Sequence, residues 1–353
     1  MSVQDVVQRI WYGDGKLIAA SRLALLPAER LFGGVVGVRD ILYDVGWLPS
    51  HDAAIPVVSI GNLTVGGTGK TPVAAWVASG LAARGAQPAV VLRGCGDDEP
   101  LVHERLNPSI PVIVNPDRTR AVAIAAARGA TIAVLDDGFQ HRAIRRDADI
   151  VLVSADRWTP DVRVLPAGPW REPLSALRRA TLIVVTSRAA DAQRVDEVHK
   201  ALAKAAPAVP RVSVRLSLSE LVRADDDVQR QPLDRLRGAK VLAVASIADP
   251  ASFLDQLQAL GAVVTERLFR DHHSFSDEES FQIASQSAAF DYVVCTLKDA
   301  VKLGPRWPRP PGSLERPLWY VSQQVMVERG VGGLEHVLDE LVRSRSGSSP
   351  TAG

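Results

Sequence analysis

The chain is short of what several protein classes require. It has only two cysteines in 353 residues, Cys95 and Cys295, far apart in sequence. They cannot supply the disulfide framework of a small secreted domain, and they point to a reducing compartment. Cys295 lies in the apolar run 292–297 and reads as core. An excess of one charge is missing as well. Lys and Arg number 41 against 40 Asp and Glu, a formal charge of +1, so nucleic acid is not an expected partner. Any affinity for phosphate must therefore be local. No run approaches the ~18 consecutive apolar residues of a membrane-crossing helix. The N-terminus also lacks the basic start, apolar stretch and small-residue cleavage site of a secretory signal.

What remains is an ordinary globular composition, 46% apolar and 23% charged, in a chain long enough for about two domains. Residues 1–47 stand apart. Apolar stretches at 17–28, 31–38 and 41–47 are flanked by Trp11, Tyr12, Tyr43 and Trp47. Aromatic rings with a polar edge favour the boundary between hydrocarbon and water, and an amphipathic helix can lie there without crossing it. The same pattern also fits a helix pair packed on the protein's own core.

From residue 56 apolar strands alternate with helical stretches. Strands are expected at 57–60, 88–92, 111–114, 131–135, 149–153 and 181–186, with helices at 72–84, 118–128 and 191–205. A second block follows, with strands at 240–246, 262–268, 291–296 and 317–322 and helices at 250–260, 277–288 and 333–343. This alternation predicts an α/β fold, a mostly parallel sheet flanked by helices, with a second smaller α/β domain. The expected division is an N-terminal segment 1–47, a nucleotide-binding domain 48–212, a C-terminal domain 213–343 and a disordered tail 344–353. The pattern weakens at 212–231, where Asp225, Asp226 and Asp227 read as a solvated turn, with a metal site as the alternative.

The most informative stretch is 57–72, a buried strand, a glycine-rich turn, then Lys-Thr opening a helix. Thr64, Val65, Gly66, Gly67, Thr68 and Gly69 would wrap backbone N–H groups around phosphate oxygens, aided by the helix N-terminus. Lys70 would reach the β- and γ-phosphates of ATP, and Thr71 would offer its hydroxyl to Mg²⁺. The strict pattern has glycine where this chain has Thr64. Partitioning ATPases with a related loop carry a lysine at the position of Val65, and its absence here counts against them. The strand at 131–135 ends in Asp136 and Asp137, where α/β sheets place ligands and where a phosphate loop finds its metal-holding carboxylate. Gln140 and His141 follow, placed to contact phosphate or acceptor or to brace the loop.

Two further polar clusters invite chemistry. Asp271, His272 and His273 lack the partners of a zinc site. A histidine beside a carboxylate suits a proton relay, and a helix-capping loop is the plain alternative. Phosphoryl transfer to a hydroxyl needs a group to accept its proton. Asp98, in the acidic stretch 96–100, is a candidate, although surface turns are often this acidic.

The full string from Gly61 to Pro72 resembles the tetraacyldisaccharide 4'-kinases of lipid A synthesis, and the resemblance covers nearly the whole chain. Residues 136–141 match the family's second signature unchanged. Residues 165–174 match a third, with Trp170 in place of Leu. Residues 271–275 and 296–302 match those near the C-terminus, with Leu297 in place of Glu. Trp11 and Tyr12 with the following helix are similar to its membrane-contacting segment. The resemblance implies transfer of the γ-phosphoryl of ATP to the 4'-hydroxyl of a lipid A disaccharide precursor, with Mg²⁺, by a monomer bound peripherally at the cytoplasmic face of the inner membrane. It further implies two lobes joined by a short β linker and an Asp–His pair as base, which fall on Asp98 and His272. Arg171 maps onto an arginine at the phosphates and Arg118, more loosely, onto another. The departures gather at 93–98. Cys95 replaces the family's tyrosine and an intervening loop is gone, which leaves Asp97 as a rival to Asp98. Another small-molecule kinase, a nucleotide-driven switch or a decayed homologue are the alternative readings.

Overall fold

The computed structural model describes residues 3–94, 96, 98–308 and 316–346. Cys95, Asp97 and residues 347–353 of the expected tail lie outside them. In chain order the elements are α1 (Val3–Tyr12), α2 (Lys16–Ala24), α3 (Leu26–Asp44), β1 (Val57–Asn62), α4 (Lys70–Ala83), β2 (Pro88–Leu92), α5 (Asp98–Leu106), β3 (Val112–Val114), α6 (Arg118–Ala127), β4 (Ile132–Asp136), β5 (Ala148–Ser154), β6 (Leu182–Ser187) and α7 (Ala192–Ala205). They continue with β7 (Arg211–Arg223), β8 (Asp226–Pro232), β9 (Lys240–Ala245), α8 (Pro250–Ala259), β10 (Val263–Leu268), α9 (Asp277–Gln286), β11 (Tyr292–Thr296), α10 (Leu297–Leu303), β12 (Leu318–Arg329) and α11 (Val331–Ser346). The tail expected from residue 344 therefore begins as the last turn of α11.

Two compact units emerge, and neither is continuous in sequence. The first comprises Met1–Arg93, Ile113–Val214 and Val327–Gly353; the second comprises Gly94–Val112 and Arg215–Met326. The sequence-based division at residue 212 differs in two ways. It leaves 94–112, which carries Asp98, with the first unit, and it puts α11 with the second. The chain crosses between units within β7 and returns within β12, so residues 212–231 are not irregular. They form the β7–β8 antiparallel hairpin, pairing Leu221 with Gln231 and Val222 with Arg230.

In the first unit the strands run in the order β6-β5-β1-β4-β2-β3. β1 sits between β4 and β5, parallel to both, with Ile60 opposite Asp136 and Ile150. Every residue of β1, β2, β4, β5 and β6 is buried. That burial matches their near-continuous apolar runs and a sheet covered on both faces. The order reverses beside β1, which places a ligand crevice at the carboxyl ends of β1 and β4.

The second unit orders its strands β10-β9-β11-β12-β7-β8. Its sheet is sided by period two. Leu242, Val244, Val293 and Cys295 enter one core, and Val241, Ala243, Ala245 and Val294 the other. Burial beside Asp299 pushes the Cys295 thiol well above its ordinary range, as expected of a core cysteine. Of the acidic triplet Asp225 lies in the hairpin turn and Asp226 and Asp227 open β8. Asp225 takes Arg223 at 2.7 Å, Asp227 takes Arg105 at 2.5 Å, and Asp226 accepts from the Val228 N–H at 3.1 Å. No group of three or more metal-ligating side chains gathers among the described residues.

The N-terminal helices do not pack into a core of their own. Val36 is the one buried residue of α3, and α2 has none. Polar contacts fix one side. Arg22 donates to the carbonyls of Ile10, Trp11 and Gly13, and Glu29 meets Arg163 and the Val164 N–H. At the C-terminal half of α3 an ion cluster ties the helix down. Glu172, fully buried, accepts from Arg39 at 3.0 Å and Arg179 at 2.6 Å, and Arg179 also meets Asp40 at 3.0 Å. Removing Glu172 would leave Arg39 and Arg179 with Asp40 as their shared acidic partner. The opposite side of α3 and the turn after it expose Leu31, Val35, Val38, Ile41, Val45 and Trp47. From Leu31 to Val45 these recur every three or four residues, one stripe along a helix.

Candidate active site

The glycine loop is built by its ends. β1 finishes at Asn62, and Gly69 caps α4 from the left-handed region at φ 88°, where a side chain would be strained. Thr64 forms an antiparallel bridge with Trp170, and the Val65 N–H donates to Pro169 O at 2.8 Å. A residue held in a strand-like bridge needs no glycine freedom, which explains Thr64. The 165–174 signature is thus the wall against which the loop is laid. Arg188 donates to Gly67 O at 3.0 Å and Thr186 to Thr68 O at 2.9 Å, holding the far side.

Asn62 is the hub, and the sequence reading gave it no role. Its Nδ2 donates to Thr64 O and Thr68 Oγ1, each at 2.8 Å, while its Oδ1 accepts from Lys70 at 3.2 Å and from Arg171. The sequence offered only a polar residue at the carboxyl end of an apolar strand. Arg171 grips Asp137 with both terminal nitrogens, at 3.0 and 2.9 Å, and Lys70 stands 3.8 Å from the same carboxylate. Burial works to raise the Asp137 pKa, but Lys70, Arg171 and Arg118 outweigh it and hold the group at about 2.

Asp136 ends β4 as a buried carboxylate, and Asp137 follows in the left-handed region at φ 55°. This turn is braced from behind. Arg118, also buried, donates to the carbonyls of Asp136 at 3.2 Å and Asp137 at 2.9 Å. Gln140 Nε2 donates to Asn62 O at 2.9 Å, so its amide locks the turn to β1. The glycine at 61 permits this closeness, because a Cβ there would lie 2.5 Å from that of Phe139. Burial, and then the nearby charges of Arg118 and Arg146, lower the pKa of His141. Gln140 thus braces the loop, one of the two roles expected for it, and Arg118, expected near the phosphates, gives these hydrogen bonds to the same turn.

The second unit holds the other polar clusters singled out from sequence. Asp98 opens α5, not a surface turn, and its side chain is 4% exposed against 41% for His272. His272 Nδ1 lies 3.2 Å from Asp98 Oδ1 across 174 residues of sequence. Asp98 Oδ2 is buried with no hydrogen-bond partner among the described residues, leaving acceptor capacity on that carboxylate. Gly96 is fitted to the pair, since a Cβ there would come within 2.9 Å of Asp98 Oδ1 and 3.4 Å of His272 Nδ1. Asp271 stands 4.0 Å from His272 Nε2. The adjacent histidines separate in role. His273 stacks on Phe269 and meets Glu279, which forms the capping box of α9 with Ser276. The carboxylate–histidine contact and the helix-capping loop therefore lie one residue apart.

A glycine loop running from a central parallel strand into a helix, with its lysine in the first turn and a buried carboxylate ending the next strand, defines a P-loop nucleotide-binding protein. The family profile described as tetraacyldisaccharide-1-P 4'-kinase matches residues 21–97 and 95–343. A tetraacyldisaccharide 4'-kinase of Anaeromyxobacter dehalogenans is 40% identical over 329 residues, covering 85% of this chain and 86% of the relative. The one from Bdellovibrio bacteriovorus is 32% identical over 349 residues, covering 91% and 100%. Among solved structures, LpxK from Aquifex aeolicus in complex with ATP matches with a TM-score of 0.71 at 27% identity, over 91% of this chain and 99% of that one. The chain belongs to the tetraacyldisaccharide-1-P 4'-kinase family.

Proposed function

We propose that the chain transfers the γ-phosphoryl group of ATP to the 4'-hydroxyl of a tetraacyldisaccharide 1-phosphate, a step of lipid A biosynthesis. The observation that carries this reading is the Asp98–His272 pair, which provides a proton acceptor in a chain that also holds a phosphate loop. Lys70, Arg171 and the loop N–H groups of residues 64–69 hold the β- and γ-phosphates. Asp137 keeps Lys70 and Arg171 aimed into the loop. Asp98, oriented by His272, takes the proton of the attacking hydroxyl as the oxygen–phosphorus bond forms and ADP leaves. Positioning and charge neutralisation supply most of the rate.

The residues present also fit Mg²⁺, a hard cation that takes oxygen donors and shares its coordination with substrate phosphates. Asp136 and Thr71 would hold it, and it would neutralise charge on the phosphates. Asp137, engaged by two cations, is the weaker ligand of the two carboxylates.

The exposed stripe of α3 supports peripheral attachment to the inner membrane from the cytoplasmic side. Among the described residues no helix is long and apolar enough to cross a membrane. An apolar face anchored by ion pairs on its other side suits a helix lying in the lipid interface, with the acyl chains of the acceptor remaining in the bilayer. The chain acts as a monomer in this reading. The test is transfer of labelled γ-phosphate to a tetraacyldisaccharide 1-phosphate in mixed micelles. Wild-type protein should label the lipid and sediment with vesicles. Protein that binds ATP, stays freely soluble and labels nothing would overturn the proposal.

A further inference from the structure

Asp299 takes no part in the chemistry above, yet it is fully buried and heavily bonded. It sits in the first turn of α10. Its carboxylate accepts from the Ser246 N–H at 3.1 and 3.2 Å, from Ser246 Oγ, and from Thr296 Oγ1 at 2.7 Å. Lys302 Nζ lies 3.5 Å from Asp299 Oδ1, donates to Ser246 Oγ at 2.6 Å, and stands 5.5 Å from the centre of the Phe275 ring. An apolar cluster would serve a core at least as well as a buried ion pair. A network with this many bonds is better suited to fixing one geometry than to adding stability.

The geometry it fixes is that of Ser246, the residue after β9. The carbonyl of Ser246 accepts the backbone N–H of His272 at 3.2 Å. His272 holds φ at 58°, a left-handed conformation uncommon outside glycine, so its backbone needs an external hold. The α10 helix that carries Asp299 and Lys302 also packs along α5, whose first residue is Asp98. Both members of the pair therefore rest on the same short helix.

We propose that Asp299, together with Lys302, is a positioning group for the phosphoryl-transfer reaction, setting His272 against Asp98 through Ser246. The inference rests on the reading of Asp98 and His272 as the base. A purely structural ion pair would cost stability without any tie to His272, so the two roles separate in a double-mutant cycle. Asp299→Asn should lower kcat about 10- to 100-fold, the scale of a misplaced catalytic group, while KM for ATP stays within about twofold. In a His272→Ala background the same substitution should change kcat by less than about twofold, because the positioned group is already gone. An equal loss in both backgrounds, or an unchanged kcat in Asp299→Asn alone, overturns the inference. A His272→Ala protein with full turnover is a separate result that removes the base reading itself. If Asp299→Asn does not fold by its melting profile, Lys302→Met replaces it in the same cycle with the same two expectations.

Discussion

The phosphate loop and the Asp98–His272 pair are built on opposite plans. The loop is held many times over. Asn62 makes contacts to Thr64, Thr68, Lys70 and Arg171, and Asp137 meets both Lys70 and Arg171. Among the described residues the two side chains of the pair meet at one 3.2 Å contact, between a buried carboxylate and a partly exposed imidazole. Redundant bonding suits a site that must bind a whole triphosphate in one shape. A single contact suits a group that must release its acceptor capacity to a substrate. The loop should therefore tolerate damage that the pair does not.

The largest effect should come from Asp98→Ala. Turnover should fall about 100- to 10,000-fold, the contribution of a positioned general base, while ATP affinity measured by calorimetry stays unchanged. Parallel losses in both would break the contrast between the two regions. Next comes Gly96→Val, which forces side-chain atoms against Asp98 and His272. It should cost about 10- to 100-fold in kcat with little change in KM for ATP; full activity would mean the pair is looser than its geometry implies. On the first unit, Leu31→Ser with Val35→Ser removes two residues of the exposed stripe. Vesicle binding should weaken by about 10-fold or more, by the loss of roughly 1 kcal/mol or more of buried apolar surface per residue, with ATP affinity intact. Unchanged sedimentation would detach the stripe from any lipid role.

The smallest effect tests the redundancy of the loop through pH. Asp137 titrates at about 2 when folded against 3.8 as an unperturbed group. A depressed carboxylate contributes stability that is fully present above the unfolded value and is lost as pH falls through the folded one. Its side chain is 40% exposed, so solvent screening limits the contribution to about 1 kcal/mol or less. Between pH 4 and 2, wild-type protein should lose this increment and Asp137→Asn should not. Identical acid melting curves for the two would mean Lys70 and Arg171 do not hold the carboxylate.

The same contrast explains what could be read from residues alone. The loop was legible because its chemistry needs consecutive residues, from Asn62 through Lys70, and because β1 and β4 are unbroken apolar runs. The role of Asn62 was not, since a buried asparagine at a strand end carries no periodicity. The α5 helix was hidden in an acidic stretch whose Pro100 reads as a breaker, although proline is tolerated in a first helical turn. Likewise, β7 and β8 are half-exposed, so their alternation is diluted by charged residues. Sequence resemblance, not pattern, brought Asp98 and His272 together, because nothing local links residues 174 positions apart. The stripe on α3 was visible as composition, but its one-sidedness needed the fold.

The interleaving of the two units has a consequence for how the protein is made. Synthesis runs from the N-terminus, and domains generally fold as units while it proceeds. Here the segment Gly94–Val112 emerges long before Arg215–Met326, which it needs. The first unit in turn waits for Val327 onward, whose α11 packs on α4 and β6. The second unit can close once Met326 has emerged, and the first must wait for the residues after it. Cutting the chain after Met326 would therefore injure the nucleotide-binding unit, most of which lies far upstream of the cut, and leave the Asp98–His272 unit whole. A chain stalled late in translation would carry the Asp98–His272 contact already assembled and its nucleotide-binding unit still unfinished.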